Sequence, residues 1–248
     1  MMLSPFIPKG TLYFMRILMR TKRKSDEPPA RQGPDLPHPD NLARVTFENP
    51  LAGLPLTDLT IEDALVEGQD VSGHRISSLI AKGCVLRDVS FANCEIGSIR
   101  LRDVRLVKCD LSNSLLRVLE ANRVEFVDCR LIGMRAAESR CNNMLIENCD
   151  GRYTQWNDGQ MRLCEFRGSQ FAECDLRSTD LEGTIFAQAS FTQTSLRQAD
   201  LTGARLQGTD LRGADIDGML ARAEDLRGAI VAAPQALELA RLMGVIIR

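Results

Sequence analysis

A chain of 248 residues with 44% hydrophobic content is long enough for a sizeable core in one or two domains. Its formal net charge of -2 and pI near 5.8 carry no global signature of nucleic-acid or anionic-membrane binding. Only 5% of it is aromatic and it has two histidines, which nearly excludes a His-based catalytic triad or dyad.

Residues 1–44 read as a separate, disordered basic and Pro-rich tail. "TLYFMRILMRTKRK" is a short apolar stretch interrupted by Arg16 and closed by a basic cluster. It is too short to span a bilayer and no small-residue cleavage site follows, so neither a membrane span nor a secretory signal is expected. An amphipathic membrane-surface segment is one reading. Translation beginning at Met15 or Met19 is the preferred one. "KSDEPPARQGPDLPHPD", residues 24–40, is proline-rich and poor in apolar residues, a composition that does not bury enough surface to order itself.

Residues 45–75 read as the N-terminal cap of a periodic region spanning residues 76–231. Leu54, Leu59 and Ala64 alternate with Leu56, Ile61 and Val66 in the same five-residue phase that governs the rest of the chain. "TIEDALVEG" equally fits a short helix opened by Thr60 and Asp63 as a capping box.

From Ile76 to Val231, 25 of the 32 residues at every fifth position are Leu, Ile, Val, Met or Phe, and no insertion or deletion interrupts the count. In "ADLTGARLQGTDLRGADIDG", residues 199–218, these are Leu201, Leu206, Leu211 and Ile216. Five helical steps drift a side chain by roughly 140°, and five strand steps reverse its face, so neither element keeps these residues in one core. The backbone must turn once per block. Each block then shows its central residue and the one two before it to a common interior, with three facing out.

The cysteines follow the same register. Seven of the eight, at 84, 94, 109, 129, 149, 164 and 174, precede a central position by two, where later blocks hold Ala199, Ala204, Thr209 and Ala214. Cys141 is itself central. A small buried slot explains both sets, since free Cys packs as a small hydrophobe. That reading is preferred to a disulfide framework or a metal site, because no CxxC occurs and nitrogen ligands are scarce. Thiols kept free in this number point to a reducing compartment, hence the cytoplasm.

The unit (Ala/Cys/Thr)-Asp-Leu-x-x, seen at Cys109-Asp-Leu111, Cys174-Asp-Leu176, Thr179-Asp-Leu181, Ala199-Asp-Leu201 and Thr209-Asp-Leu211, resembles that of the pentapeptide-repeat proteins. The resemblance implies an all-β fold, a right-handed quadrilateral β-helix in which four blocks make one 20-residue coil. Residues twenty apart would then stack at about 4.8 Å. Phe126, Ile146, Phe166, Phe186, Leu206 and Leu226 would form one core ladder, and Cys109, Cys129 and Cys149 another.

Between Leu131 and Met161 the central positions weaken to Ala136, Cys141, Ile146, Gly151 and Trp156. A bulge, with Trp156 filling space left by Ala136, is the preferred reading, and a partner-binding patch at Tyr153 and Trp156 the sharper one. Residues 232–248 read as a C-terminal helix and strand cap. "APQALELARLMG" offers Pro234 in the first turn, good helix formers and Gly244 as a stop. Leu237, Leu239, Leu242 and Met243 would lid the last coil, and the trailing "VIIR", with Ile246, would be buried by a homodimer. The resemblance points the same way, since topoisomerase-binding members dimerise through a C-terminal helical segment.

No G-x-x-x-x-G-K, G-x-G-x-x-G or HExxH occurs, and "DIDG" at 215–218 lacks the other carboxylates of a calcium loop. The aspartates at 110, 150, 175, 180, 200, 210, 215 and 225 precede central residues, where they can accept from turn amides. The reading is therefore a cytoplasmic, non-enzymatic scaffold that binds a protein partner through its outer faces, with no cofactor, no metal, no direct nucleic-acid binding and no membrane span. The alternative implied by the resemblance is a DNA-mimicking modulator of DNA gyrase or topoisomerase, of the quinolone- or toxin-resistance type. Against it, residues 171–231 carry ten acids and six arginines, but residues 82–170 carry twelve acids and fourteen bases. The surface is mixed. The least favoured reading is an enzyme, or a catalytic accessory using the N-terminal region.

Overall fold

The turn that the five-residue period demands is visible in the backbone. In the computed structural model, which describes residues 30–38, 41–47 and 58–246, the residue two past most central positions adopts a left-handed conformation, though not Ser78, Ser98 or Val118. Asp88, Asn93, Asp103, Asn113 and Asn143 do so at φ between 52° and 58°. Short polar side chains tolerate this region and glycine enters it freely, which is why Asn, Asp and Gly recur there.

Strands form along the sides and pair in parallel, the longest of them continuing through such corners. β1 (Ala43–Arg44), β2 (Leu59–Glu62) and β3 (Ala64–Glu67) lead into the long β4 (Arg75–Arg87), β5 (Glu95–Val107), β6 (Leu115–Leu116) and β7 (Leu119–Val127). Shorter strands come next: β8 (Arg140–Asn142), β9 (Leu145–Glu147), β10 (Gln160–Arg162), β11 (Glu165–Arg167) and β12 (Ile185–Ala187). From β2 onward every strand pair and isolated bridge joins residues twenty apart, as in Ile76↔Ile96, Phe166↔Phe186 and Asp210↔Ile230. The chain is a parallel β-solenoid of five-residue sides and 20-residue coils.

"TIEDALVEG" is strand, not helix. β2 and β3 pair with β4, and Ile61, Ala64 and Val66 are buried as members of the periodic core. Leu54, Leu56 and the basic cluster lie outside the described residues. The N-terminal end is closed by Phe47, buried edge-on against Phe91 with 6.1 Å between ring centroids.

The interior is a column one side chain wide. Phe126 pairs with Ile146, Ile146 with Phe166 and Phe166 with Phe186, and Leu206 is buried on the next coil. Leu226 departs from the ladder. Residues 223–228 form successive turns held by Asp225, which accepts from the amide and guanidinium of Arg222, so Leu226 only packs partly against the core. The twenty-residue register nevertheless continues past these turns, since Ile230 bridges Asp210 and its amide donates to the Thr209 carbonyl.

Trp156 sits in its central slot and is 1% exposed, while Tyr153 lies outside, so the two do not share a surface patch. The weak stretch has its own complementarity. A Cβ on Gly151 would lie 2.2 Å from the Phe171 ring, so the missing side chain on one coil is the space for the phenylalanine of the next.

The slot two before each central residue does more than accept small side chains. Thr184 Oγ1 donates to the Met161 carbonyl at 2.7 Å and Thr209 Oγ1 to the Phe186 carbonyl at 2.7 Å; Cys94 Sγ donates to the Val71 carbonyl at 2.9 Å. Each bond ties one coil to a corner of the coil before it. A buried donor lost without replacement costs about 1 kcal/mol or more. Thr184→Val, which keeps the shape and removes the donor, is expected to lower unfolding free energy by about that much in urea titration.

Candidate interaction surfaces

All eight cysteines are buried and free, and burial pushes the Cys164 and Cys174 thiols up to about 12. Among the described residues no group of three or more His, Cys, Asp or Glu is placed to hold a metal ion. The expected experimental signature is inertness: in the native protein at pH 8, iodoacetamide should leave Cys164 and Cys174 unmodified while labelling both in urea, as read by mass spectrometry.

The aspartates of the repeat are turn acceptors. Oδ1 of Asp110, Asp175, Asp180, Asp200 and Asp210 each accepts from the amide two residues on, at 2.8 to 3.1 Å. Asp150 and Asp215 do the same at longer distance. These carboxylates hold corners and are committed to that task.

Arginines cover the outer walls in a lattice with the acids. Some pair with a neighbouring coil: Arg100 with Glu120 at 3.2 Å, Arg105 with Glu125 at 2.7 Å, Arg167 with Glu147 at 2.9 Å and Arg197 with Asp217 at 2.8 Å. Others fold back within their own block, as Arg152 on Asp150, Arg177 on Asp175 and Arg212 on Asp210. Apart from Arg105 with the buried Glu125, these pairs are exposed, and individually such pairs contribute little to stability. Collectively they break up the negative stripe that a DNA-like wall would present.

One wall is covered by the chain itself. Residues 30–38, read from composition as part of an unordered tail, lie along the solenoid axis across several coils. Arg31 donates to Glu125 at 2.8 Å, the Gln32 amide to Asn143 Oδ1 at 2.9 Å and the Asp35 amide to Asp103 Oδ1 at 2.9 Å. Further along the chain, β1 pairs with β3. The segment is held by polar groups, which a count of apolar residues does not register. Under it, Asp103 and Glu125 are each 6% exposed.

Both carboxyls are held below their ordinary values although burial alone would raise them. For Asp103 the Arg123 guanidinium and the Asp35 amide outweigh burial, with Arg102 adding; for Glu125 Arg31 and Arg105 do. A depressed carboxyl stabilises the folded form above its ordinary titration range and loses that contribution as pH falls through the lowered value. The segment should therefore stay protected in hydrogen exchange at neutral pH and lose protection under acid conditions. Unchanged protection in acid would show that these carboxylates do not hold it.

At the C-terminal end α1 (Ala233–Leu242) is anchored by a residue that apolar periodicity does not reveal. Gln235 is buried; its amide donates to the Leu211 and Ala214 carbonyls at 2.7 and 2.9 Å, while its Oε1 accepts from the Ala232 amide at 2.9 Å. The signal was a glutamine three residues into the helix, half of a capping box. Leu239 packs partly against the core, whereas Leu237, Leu242 and Met243 are exposed and Ile246 is 82% exposed. These residues do not lid the last coil as a group. They leave an apolar patch open.

Among the described residues no helix is long and apolar enough to cross a membrane. A model of the pentapeptide repeat region matches residues 99–171, and a model of eight-copy pentapeptide repeats matches 157–188, 164–203 and 186–218. No curated protein matches the chain. Solved structures similar to it include HetL, a pentapeptide repeat protein involved in heterocyst differentiation regulation in the cyanobacterium Nostoc. It is 16% identical, with 71% of this chain and 90% of that one covered and a TM-score of 0.38. A trypsin-treated form of QnrB1, a plasmid-mediated fluoroquinolone resistance protein, is 16% identical, with 78% and 98% covered and a TM-score of 0.39. The pentapeptide repeat protein Rfr23 of the cyanobacterium Cyanothece is 17% identical, with 52% and 91% covered and a TM-score of 0.24.

Proposed function

Because the chain is a pentapeptide-repeat protein, we propose that it works as a non-enzymatic scaffold that binds a protein partner through its outer surface. The observation that carries this is the apolar end formed by Leu237, Leu242, Met243 and Ile246, exposed beyond a solenoid whose other apolar residues are largely interior. Exposed apolar patches of this kind mark protein contacts. The same end supports a homodimer as the simplest occupant, and the free thiols support a reducing, cytoplasmic setting. Light scattering coupled to size exclusion tests the dimer: a dimer for the native chain and a monomer for Leu242→Glu supports it, and a native monomer at micromolar concentration removes it. Affinity capture from native lysate, with a C-terminal patch variant as the comparison, tests the scaffold reading. Loss of a specific captured protein in the variant supports partner binding at that end.

A second reading, modulation of DNA gyrase or a related topoisomerase, draws on the net charge of -4 over residues 171–231. The paired arginines of the outer walls weigh against it. Supercoiling by purified gyrase decides: inhibition or quinolone protection by stoichiometric protein supports this reading, and no effect removes it.

A further inference from the structure

The segment lying along the wall shows what that wall binds. Arg31, Pro34 and Pro37 are half-buried against the solenoid, three residues apart and joined only by Leu36, while Gln32, Gly33, Asp35 and His38 are exposed. The two amides that reach the wall, those of Gln32 and Asp35, are also three apart. A three-residue repeat is that of polyproline II, whose turn advances about 9.3 Å. Pro34 and Pro37 fix their own φ near the required value and bias Gly33 and Leu36 toward extended backbone.

The acceptors of those amides, Asn143 and Asp103, lie two coils apart on one column of corners. Two coil spacings amount to about 9.6 Å. One polyproline turn therefore matches two coils, and a segment of this conformation can stay in register with the wall over several turns. Arg31 adds a charge contact to Glu125, on the coil between them.

The wall does not need the segment. Asp103 already receives two bonds from Arg123, both 2.6 Å, and Glu125 one from Arg105 at 2.7 Å, so departure of the segment leaves neither carboxylate unpaired. The segment is tied by side-chain acceptors, one ion pair and a 3.4 Å bond from the Arg31 guanidinium to the Asn143 carbonyl, whereas the backbone ladder resumes only at Ala43.

We propose that the wall bearing Asp103, Arg123, Glu125 and Asn143 is a docking track for an extended, arginine-bearing segment with prolines three residues apart. Residues 31–37 occupy it as an exchangeable latch, and a partner segment of the same chemistry displaces them. This deepens the scaffold reading by naming one wall and one class of partner, and it rests on that reading. Its test reads this wall alone, so its failure leaves partner binding at the C-terminal end standing.

Two measurements on the full chain test the proposal. In native hydrogen exchange, the amides of Gln32 and Asp35 should exchange at least about a hundredfold faster than those of Arg130 and Asp150, which bond across coils to Cys109 and Cys129, and faster still as salt is raised. Protection equal to that of Arg130 and Asp150 overturns the latch. In fluorescence anisotropy, a labelled peptide of residues 30–38 should bind Arg31→Glu at least about tenfold more tightly than the wild-type chain, since only the variant presents an open track. Replacing both prolines of the peptide by alanine should weaken that binding. A variant whose Gln32 and Asp35 amides exchange freely and which still fails to bind the peptide overturns the docking track. If Arg31→Glu does not fold, Gln32→Pro, which removes an amide donor from the segment and leaves the wall intact, takes its place, with exchange read at the Asp35 amide alone and the same two outcomes for peptide binding.

Discussion

Leu201→Asp is expected to abolish soluble expression. Leu201 is buried in a column one side chain wide, with Leu181 and Leu206 among the core residues around it. A carboxylate there loses the hydrophobic contribution of the leucine, about 1.5 to 3 kcal/mol, and incurs a desolvation penalty of several kcal/mol more if ionised. Protonation lessens that penalty but leaves a polar group with no assigned partner. The sum is comparable with the whole stability of a typical domain, about 5 to 15 kcal/mol. Gln198→Asp, three residues away on the outer wall, is the control and should express normally. A soluble, cooperatively folding Leu201→Asp protein would contradict the interior placement of the fifth-position residues.

The second large effect is expected at Phe166. Its ring stacks on that of Phe186 at 5.2 Å with 3° between planes, and meets Phe171 and Phe191 edge-on at 5.0 and 5.4 Å. Phe171 and Phe191 stack in turn at 5.2 Å. Four rings on two coils thus form one block, and Phe166→Ala opens a cavity in its middle. Truncations of this kind cost about 3 to 5 kcal/mol. In a solenoid each coil is stabilised chiefly by its neighbours, so the loss is concentrated at one junction and should also broaden the unfolding transition. Urea unfolding followed by the fluorescence of Trp156, the single tryptophan, reads both quantities. A loss below about 1 kcal/mol would show that the rings do not pack as described.

The periodic part of the fold was legible in the sequence because one steric demand, a turn in every block, governs it from Ile61 to Ile216. Many of the corners carry Asn, Asp or Gly two past the central residue, but Lys108, Arg123, Tyr153 and Leu163 adopt the same left-handed conformation with no such signal in their type. What composition concealed were features whose stabilisation is polar or local. The latch at residues 31–37 contains few apolar side chains, so a hydrophobicity argument reads it as unordered, yet its amides and Arg31 meet acceptors on the wall. Gln235 anchors α1 through hydrogen bonds, while the leucines that helical periodicity singles out point largely to solvent. The slot occupied by Cys and Thr was readable as small, but its second property, a donor for the corner carbonyl of the preceding coil, emerges only from three-dimensional register. Phe47 carried no periodic signal at all, because it plugs the end of the column and belongs to no ladder.

A crystal structure of the full chain tests most directly the central claim, that a five-residue period bends the backbone into stacked square coils. The prediction is that Phe166, Phe186 and Leu206 lie one above another in the interior on successive parallel coils, with the two rings parallel and about 5 Å apart. Any of these three side chains in a helix, or facing solvent, would contradict it.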